Sequence, residues 1–453
     1  MGKGGFRVSP FFAAYSKFGF ENTEILIIFV YGNTNFIKKT QSIVTNKGLS
    51  MELSEMKQLL DASERLVSRV PMRHRRYLCS RIDWNDRLIC IKGPKGTGKT
   101  TLLLQHIREA FGSASDKAVY LAGDHIFFAR HDVLDTVEFL HAHGYTHLFL
   151  DEVHHIPEWA RIIKTVTDFY PELHVVYSGS SLLRLEDGGA DLSRRQAVYT
   201  LKGLSFREYL SFEGALETKP LCVEEILSAH REIALDLVSN LKVLPFFEKY
   251  LKVGYYPLYR SVSSQFSERL LAVVNTILDV DFPLVEDVTI ATIRKAKKML
   301  MALAHACPQQ PNMSDLYREL ETNRNLGIRM LDALERAELI RALDANAPKL
   351  KHLSRPEKLY LGDTCLMHAL VPSPNPGALR ETFFANQLTA AGVDIKAPAQ
   401  GDFMLNDTFL FEVGGTGKGY PQIRNVPQSF VVADGMEIGL GNKIPLWIFG
   451  MLY

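Results

Sequence analysis

The fold of this chain is decided by one stretch, Gly93-Pro94-Lys95-Gly96-Thr97-Gly98-Lys99-Thr100-Thr101. It fits G-x-x-x-x-G-K-[ST] at every position, the pattern of a loop that binds phosphate groups. The apolar residues 88–91 before it predict a buried parallel strand, and residues 101–107 after it predict a helix. Glycines let backbone N–H groups approach phosphate oxygens, and a helix start favours negative charge. The whole stretch is therefore predicted to bind ATP, with Lys99 on the β- and γ-phosphates and Thr100 on Mg²⁺.

A second stretch predicts that the bound nucleotide is hydrolysed. Three apolar residues, 148–150, lead directly into Asp151 and Glu152. Ligands of open α/β sheets bind where the strands end, so both carboxylates are expected to face the phosphate loop. We expect Asp151 to hold Mg²⁺ through water and Glu152 to act as the catalytic group that polarises the attacking water. A strand that ends in a solvated acidic turn is the alternative interpretation.

Two further positions are candidates for catalytic roles. Residues 174–181 read as a strand that ends in Ser-Gly-Ser-Ser, which places Ser178 beside the acidic pair. Ser178 is expected to sense the γ-phosphate or to position water, and a plain polar turn is the alternative. Arg194 and Arg195 precede a predicted last strand at 197–201. An arginine near the γ-phosphate, in cis or from a neighbouring subunit, accelerates hydrolysis; two surface arginines in a loop are the alternative.

Length and composition narrow the class of protein. A chain of 453 residues is too long for a single core, which favours two to four domains. The count of 52 Lys+Arg against 51 Asp+Glu indicates no particular charged partner. No apolar run reaches the roughly 18 residues of a membrane helix, so no membrane partner is expected. Five scattered cysteines without a C-x-x-C pair favour reduced thiols and a cytoplasmic location over disulfides or a zinc site.

Two groups of polar residues invite a functional interpretation. The histidines lack the H-E-x-x-H spacing of a zinc site and are interpreted as histidines of loops and helix ends: His141, His143, His147, His154 and His155. The basic cluster just before the first strand is interpreted as a solvated helical face, and a cover for the nucleotide base is the alternative: Arg69, Arg73, His74, Arg75 and Arg76.

The start of the chain is open to two interpretations. Residues 24–30 are apolar but too few to cross a membrane, and Met51 opens a segment with helical spacing. Either translation starts at Met51, or the preceding residues form a real strand or tail. No function is assigned to this segment.

One further segment carries a family resemblance, Leu204-Ser205-Phe206-Arg207-Glu208-Tyr209-Leu210. Together with the acidic pair and the Ser-Gly-Ser-Ser turn, it resembles a group of prokaryotic ATPases of the AAA+ superfamily, near its archaeal-ATPase and STAND-like members. Proteins of that group commonly carry a C-terminal nuclease-like domain of unknown function. The resemblance runs from about residue 65 to the end of the chain.

The resemblance implies features that the residues alone do not. It implies a helical lid over the nucleotide, which includes a glycine-rich segment at residues 253–257. It makes Arg195, rather than Arg194, the arginine that precedes the last strand. Members of the group often have arginine where this chain has Lys95, a departure that keeps the charge.

A winged helix-turn-helix is predicted at residues 311–361. Apolar spacing predicts two helices joined by a turn, and residues 359–361 predict a wing strand. Arg324, Asn325 and Arg329 would then contact DNA bases. Residues 311–360 contain nine Lys/Arg and eight Asp/Glu, a net charge of +1, whereas phosphate contacts normally supply most of the affinity for DNA. An internal helical packing module is the alternative to DNA binding.

The C-terminal part of the chain resembles a nuclease-like fold. An active site of this type resembles D-x(n)-E-x-K, in which carboxylates bind Mg²⁺ and a lysine helps to activate water. Glu381, Asp402 and Glu412 are the matching acids. Gly414 stands where the lysine belongs, and Lys418 lies in the loop that follows. A scaffold retained for binding or assembly is the alternative to DNA cleavage.

Together these observations predict an α/β fold: a P-loop NTPase parallel sheet with a helical lid, a winged helix-turn-helix and a C-terminal α/β restriction-endonuclease-like domain. The last apolar run, residues 445–450, is predicted to be a buried strand. The expected domains are an N-terminal extension at 1–65, the AAA+ ATPase domain at 66–210, the lid at 211–305, the winged helix at 306–371 and the nuclease-like domain at 372–453.

Three functions follow as hypotheses. The preferred one is an ATP-driven switch, whose Mg-dependent hydrolysis moves the winged-helix and nuclease-like modules. The second is a metal-dependent DNA nuclease that ATP gates. The third is an ATP-dependent module that binds a protein partner or a second copy of itself, without nucleic-acid activity.

Overall fold

The computed structural model describes residues 13–20, 23–30, 46–182, 192, 194–262, 264–285, 288–306, 312–344, 356–419, 423 and 426–453. The chain divides into two compact units, Met1–Leu66 and Val67–Tyr453. The first contains an antiparallel hairpin of β1 (Ala13–Phe20) and β2 (Thr23–Val30), and most of helix α1 (Asn46–Arg69). The apolar run at 24–30 is thus part of a strand, and α1 begins before Met51. Translation from Met51 stays a prediction.

The predicted parallel sheet is confirmed and opens the second unit. Its five strands, all parallel, have the order β4-β5-β6-β3-β7. The strand that comes first in sequence among these five, β3, therefore lies inside the sheet. The carboxyl ends of β3, β5 and β6 therefore meet at one edge. The elements are β3 (Leu88–Gly93), α2 (Lys99–Ala110), β4 (Ala118–Ala122), α3 (Val133–Ala142), β5 (His147–Asp151), α4 (Trp159–Phe169), β6 (His174–Ser180) and β7 (Ala197–Thr200).

A helical region follows the sheet. A π-helical turn, Ile277–Asp281, continues one of its helices, and π-turns of this kind often mark functional positions. The helices are α5 (Phe206–Phe212), α6 (Val223–Val238), α7 (Val243–Lys249), α8 (Phe266–Thr276), α9 (Phe282–Val285) and α10 (Ile290–Ala306).

The predicted winged helix corresponds to two helices and a β-hairpin. Helices α11 (Met313–Glu319) and α12 (Arg324–Arg336) are followed by the antiparallel strands β8 (Ile340–Leu343) and β9 (Lys358–Leu361). This order of elements is compatible with a winged helix, and the assignment itself stays a prediction.

The C-terminal part forms a mixed sheet in the order β10-β11-β12-β13-β14, antiparallel over the first three strands and parallel over the last three. Residues 445–450 were predicted to be a strand, and this was wrong: Leu446–Met451 is a buried 3₁₀ helix. A short run that is apolar throughout has no period that separates strand from helix. The elements are α13 (Thr364–Leu370), α14 (Pro376–Ala390), β10 (Ile395–Lys396), β11 (Phe403–Leu405), β12 (Phe409–Gly414), β13 (Ser429–Ala433) and β14 (Lys443–Pro445).

Two apolar cores cross the predicted domain boundaries. The first joins the helical residues 204–270 to the C-terminal sheet and to α14, whose Phe383 ring lies 4.8 Å from the ring of Phe247. The second joins residues 274–304 to the segment 317–378. The expected lid at 211–305 is therefore shared between two cores, and α5 to α8 pack with the C-terminal sheet. The boundaries stay predictions, but they do not mark breaks in the packing.

Two expectations about the chain as a whole can be compared with the described residues. None of the helices there is both long and apolar enough to cross a bilayer. The cysteines described, Cys79, Cys90, Cys222 and Cys365, are all free thiols.

A fall in pH should destabilise this part of the fold, because the partly buried ring of His106 in α2 resists protonation. The His106 ring stacks on Trp84 with centroids 3.6 Å apart. Burial, and then the neighbouring His147, lowers the pKa of His106 to about 4. Below the ordinary pKa near 6.5 the unfolded chain binds a proton that the folded chain does not, so stability falls as the pH drops from 6.5 towards 4. Between pH 7 and pH 5 this costs about 1 kcal/mol, after allowance for partial exposure.

The measurement is the thermal midpoint of unfolding at the two pH values for wild type and for His106→Phe, which keeps an aromatic ring at this position but cannot bind a proton. The variant should lose less stability on acidification. Equal losses in both proteins would contradict the assignment.

Candidate nucleotide site

The phosphate loop joins β3 to α2 at the carboxyl edge of the sheet. Gly96 and Gly98 have φ values of +86° and +96°, a region that side chains disfavour. Gly98 is the N-cap of α2, so N–H groups of the first helical turn, which lack partners within the helix, start at the loop. Thr97 is fully buried, and its hydroxyl donates to the Pro94 carbonyl at 2.8 Å. The loop thus has the backbone that an anion site needs.

Lys99 is the buried cation of the loop. Its side chain is 3% exposed, and Nζ donates to the carbonyls of Gly93 at 2.9 Å and Pro94 at 3.2 Å. Gly93 must be glycine, because a Cβ there would lie 2.2 Å from the Leu201 carbonyl oxygen. Thr101, in the first turn of α2, is exposed.

The carboxylate of Asp151 is the centre of the hydrogen-bond network at this edge. It is 1% exposed at the end of β5 and accepts hydrogen bonds from Thr100 at 2.6 Å, Tyr120 at 2.8 Å and Ser178. Burial, and then the Asp151 charge, raises the pKa of the Tyr120 hydroxyl, which therefore stays a donor. A threonine hydroxyl beside a carboxylate is an oxygen donor set that suits Mg²⁺, so these residues fit the predicted ion.

Ser178 is one of the buried donors to Asp151 and does not lie in a solvated turn. Its hydroxyl is buried, donates to Asp151 and lies 3.3 Å from the backbone nitrogen of Glu152. In this arrangement Ser178 fixes the two acids. Its role towards a γ-phosphate stays a prediction.

Glu152 has a backbone conformation that is rare for its residue type. Its φ and ψ are 52° and 47°, in the left-handed region, which costs a non-glycine residue about 1–2 kcal/mol. Such strain is commonly kept where a side chain must be aimed. The side chain is 20% exposed, with Oε1 4.0 Å from Lys99 Nζ and Oε2 3.4 Å from His154 Nε2.

A comparison with protein families assigns this part of the chain. Residues 85–210 match the family described as AAA domain. Residues 85–210, the AAA domain in this match, include the phosphate loop, the acidic pair and the strands β3 to β7. This confirms the predicted phosphate-loop fold. It also confirms the coarser part of the predicted resemblance, an AAA domain. Residues 245–376 match a domain of unknown function (DUF8612), and the comparisons do not confirm a nuclease-like domain or a winged helix.

The individual relatives are only distantly similar to this chain. An uncharacterized protein of Methanocaldococcus jannaschii is 26% identical over 276 residues, which cover 56% of this chain and 57% of that protein. The chain thus spans little more than half of that relative. Thermotoga maritima RuvB is 13% identical, with 65% of this chain and 89% of that chain covered and a TM-score of 0.25. AMPPCP-bound DnaA from Aquifex aeolicus is 14% identical, with 64% and 89% covered and the same TM-score. Scores this low support no argument.

Arg195 lies at the opposite edge of the AAA-domain sheet from the phosphate loop. It precedes β7, whose first residue, Ala197, pairs in parallel with Ile89 at the amino end of β3. At about 3.3 Å per residue, that end of β3 is about 13 Å from the loop. The guanidinium pairs with Asp168 of α4 instead. This position does not favour action on a phosphate in the same chain, and a role of Arg195 in cis or in trans stays a prediction.

Arg76 links the phosphate loop to the start of α5, a contact that the sequence did not predict. Its side chain, assigned to a solvated face, is only 5% exposed. It donates to both carboxylate oxygens of Glu208 at 3.0 and 3.1 Å, to the carbonyls of Lys202 and Gly203 at 2.7 and 2.9 Å, and to the carbonyl of Thr97 in the phosphate loop. Burial alone would lower the pKa of Arg76, but Glu208 outweighs it and raises the pKa.

The sequence does contain a feature that argues against a solvated helical face at these basic residues. Pro71 follows the end of α1 at Arg69, and proline inside a helix removes a hydrogen bond and clashes with the preceding turn. The basic residues 73–76 therefore could not belong to a continuous helical face.

Two of the five histidines belong to the site. His154 and His155 follow Glu152 in a 3₁₀ turn, and the three side chains offer ligand atoms within 4.8 Å of one another, the one such group among the described residues. His154 also lies 3.7 Å from Asp281. Burial alone would raise the pKa of Asp281, but His154 and Lys95 outweigh it and lower the pKa. His141, His143 and His147 lie at the ends of α3 and β5, as expected.

The acids of the predicted nuclease-like site come together with two lysines. Lys418 reaches back to Glu412, with Nζ 2.6 Å from Oε1. Lys358 Nζ lies 3.3 Å from Asp402 and 3.6 Å from Glu381. Burial, and then the Asp402 charge, raises the pKa of Glu381.

These acids do not fit the predicted metal ion. Among the described residues, Glu381, Asp402 and Glu412 do not form a group whose ligand atoms could share one ion. Lysine ammonium groups pair the carboxylates instead. Gly414 leaves room for one of them, because a Cβ there would lie 2.7 Å from Lys418 Cδ.

Removal of the Arg76 side chain should destabilise the AAA domain and weaken nucleotide binding. Arg76→Met leaves Glu208 as a buried, unpaired charge, which costs about 3–5 kcal/mol, and leaves the Thr97 carbonyl without its anchor. Arg75→Met is the matched control, because Arg75 pairs with a half-exposed glutamate and should cost under about 1 kcal/mol. The measurements are thermal midpoint and ATP affinity. Similar effects of the two substitutions would contradict the anchoring role.

Proposed function

We propose that this chain is a Mg-dependent ATPase whose nucleotide state is passed to its C-terminal part. The observation that carries the proposal is the meeting of Lys99, Thr100, Asp151 and Glu152 at one edge of an AAA-domain sheet. Lys99 and the loop N–H groups bind the phosphates. Thr100 and Asp151 hold Mg²⁺, which neutralises charge on the phosphates when bound. The Glu152 carboxylate takes the proton of the attacking water.

The proposed transmission runs through α5, which directly follows the last strand of the AAA domain. Its N-cap, Ser205, donates from its hydroxyl to the main-chain oxygen of Tyr453 at 2.6 Å, and Arg207 Nε donates to the same oxygen at 2.9 Å. Glu208, on the same short helix, binds Arg76. One helix thus contacts the anchor of the phosphate loop and the end of the chain. Movement of the loop would act on both.

DNA is proposed as a partner on narrower grounds. Arg324, Asn325 and Arg329 are exposed on the first two turns of α12, where a recognition helix contacts bases. An ATP-gated nuclease is not favoured, because Lys358 and Lys418 already pair the acids that would have to bind a metal ion. A protein partner or a second copy of the chain remains the alternative.

ATP binding is tested first, with Lys99→Ala. Loss of a charge-assisted contact to phosphate should weaken ATP binding by about 2–3 kcal/mol, or about 30- to 150-fold in Kd. Lys117→Ala, which removes a surface lysine outside the site, should bind like wild type. ATP binding of undiminished strength in Lys99→Ala would contradict the proposal at its root.

Hydrolysis is tested with Glu152→Gln, which should bind ATP normally but hydrolyse it about 10²- to 10⁴-fold more slowly. Steady-state rates with and without duplex DNA separate the partner classes. A rate that rises with DNA in wild type, and not in an Arg324→Ala/Arg329→Ala variant, supports DNA. A rate indifferent to DNA favours a protein partner. Equal rates for Glu152→Gln and wild type would remove Glu152 as the base.

A further inference from the structure

Five charged or titratable groups form a chain that begins and ends on the phosphate loop. Lys99 Nζ lies 4.0 Å from Glu152 Oε1, and Glu152 Oε2 lies 3.4 Å from His154 Nε2. The same His154 nitrogen lies 3.7 Å from Asp281 Oδ1. Both Asp281 oxygens lie 3.2 Å from Lys95 Nζ. Cations of the loop thus alternate with carboxylates, and a histidine bridges the two acids.

Asp281 comes from outside the AAA domain. It is the last residue of the π-helical turn between α8 and α9, and it is fully buried. Buried carboxylates need compensating partners, and Asp281 has Lys95 and His154. The helical region therefore reaches the phosphate loop through one acid. Asp279, on the same turn, instead faces outward and pairs with Lys297 at 2.7 Å.

His154 is the unsatisfied member of the chain. Its side chain is 1% exposed, and neither ring nitrogen has a hydrogen-bond partner among the described residues. Buried polar groups are normally hydrogen-bonded, so an exception calls for an explanation. Its two carboxylate neighbours lie slightly beyond good hydrogen-bond geometry. A small shift of either acid would give His154 one good hydrogen bond, with Glu152 or with Asp281.

We propose that His154 and Asp281 are positioning residues that make Glu152 responsive to a nucleoside triphosphate. The triphosphate attracts Lys95 and Lys99 away from their carboxylates. Asp281, without Lys95, takes the hydrogen bond of His154, and Glu152 is released to face water. The helical region that carries Asp281 moves with this exchange, so hydrolysis and the position of that region are linked. The proposal rests on the proposed ATPase function.

A metal ion shared by Glu152, His154 and His155 is the competing reading of the same residues. Two features favour the relay. Lys95 and Lys99 already supply positive charge within 4.0 Å of Asp281 and Glu152. Asp281, which lies 3.2 Å from Lys95 and 3.7 Å from His154, is not a member of the possible metal group.

The experiment measures ATP affinity and kcat separately in the full chain. Asp281→Asn should lower kcat at least 10-fold and change the Kd for MgATP less than 3-fold, because His154 then stays on Glu152. His154→Leu removes the side chain that holds Glu152, so its kcat should stay within about 3-fold of the wild-type value. The double variant Asp281→Asn/His154→Leu should recover most of the rate that Asp281→Asn loses, because both residues act in one chain. Asp279→Asn, the matched control on the same turn, should leave both constants unchanged.

Three results would overturn the relay. The first is an unchanged kcat in Asp281→Asn. The second is a parallel loss of affinity, kcat and thermal midpoint in Asp281→Asn that His154→Leu does not restore, which indicates a structural role only. The third is stoichiometric zinc in the purified protein that His155→Ala loses. Failure of the ATPase proposal looks different, because wild type itself would then not hydrolyse ATP.

Discussion

The buried pair of Arg76 and Glu208 is the interaction on which the rest of the arrangement depends. A guanidinium removed from water must have each donor satisfied, and Arg76 meets this demand with two chain carbonyls before α5, the carbonyl of Thr97 and the Glu208 carboxylate. The geometry of the phosphate loop is therefore tied to the start of α5. Because α5 also packs in the core of the C-terminal sheet, a continuous set of contacts joins the phosphate loop to the last residues of the chain.

The carboxylate of Asp151 has the equivalent role within the sheet. Hydroxyls from α2, β4 and β6 donate hydrogen bonds to it. One buried charge therefore fixes the position of the helix that follows the phosphate loop relative to the neighbouring strands. Glu152 then follows in a strained backbone conformation that its neighbours must maintain. The site combines a rigid half, centred on Asp151, with an adjustable half in which the loop lysines, Glu152 and the helical region exchange partners.

Local patterns predicted the nucleotide-binding half of this protein, and long-range contacts escaped them. The phosphate loop, β3, β5 and the acid pair were predictable because each is a short motif whose chemistry is set by adjacent residues. Arg76 and Glu208 are 132 residues apart, and neither periodicity nor spacing links them. Asp281 was missed for the same reason. The end of the sheet at which Arg195 lies could not be predicted, because it depends on how β7 pairs with β3. The contact between Lys418 and Glu412 depends on the conformation of the loop after β12, which no sequence pattern predicts.

The central claim is that the phosphate loop and the C-terminal part respond together to ATP. The most direct measurement is amide hydrogen exchange of residues 204–212 and 446–453 in the Glu152→Gln protein, with and without MgATP. Protection in both segments should change on ATP binding, and the change at 446–453 should disappear in an Arg76→Met/Glu208→Met background that still binds ATP. If ATP altered exchange only around the phosphate loop and left residues 446–453 as they were, the claim of transmission would be contradicted.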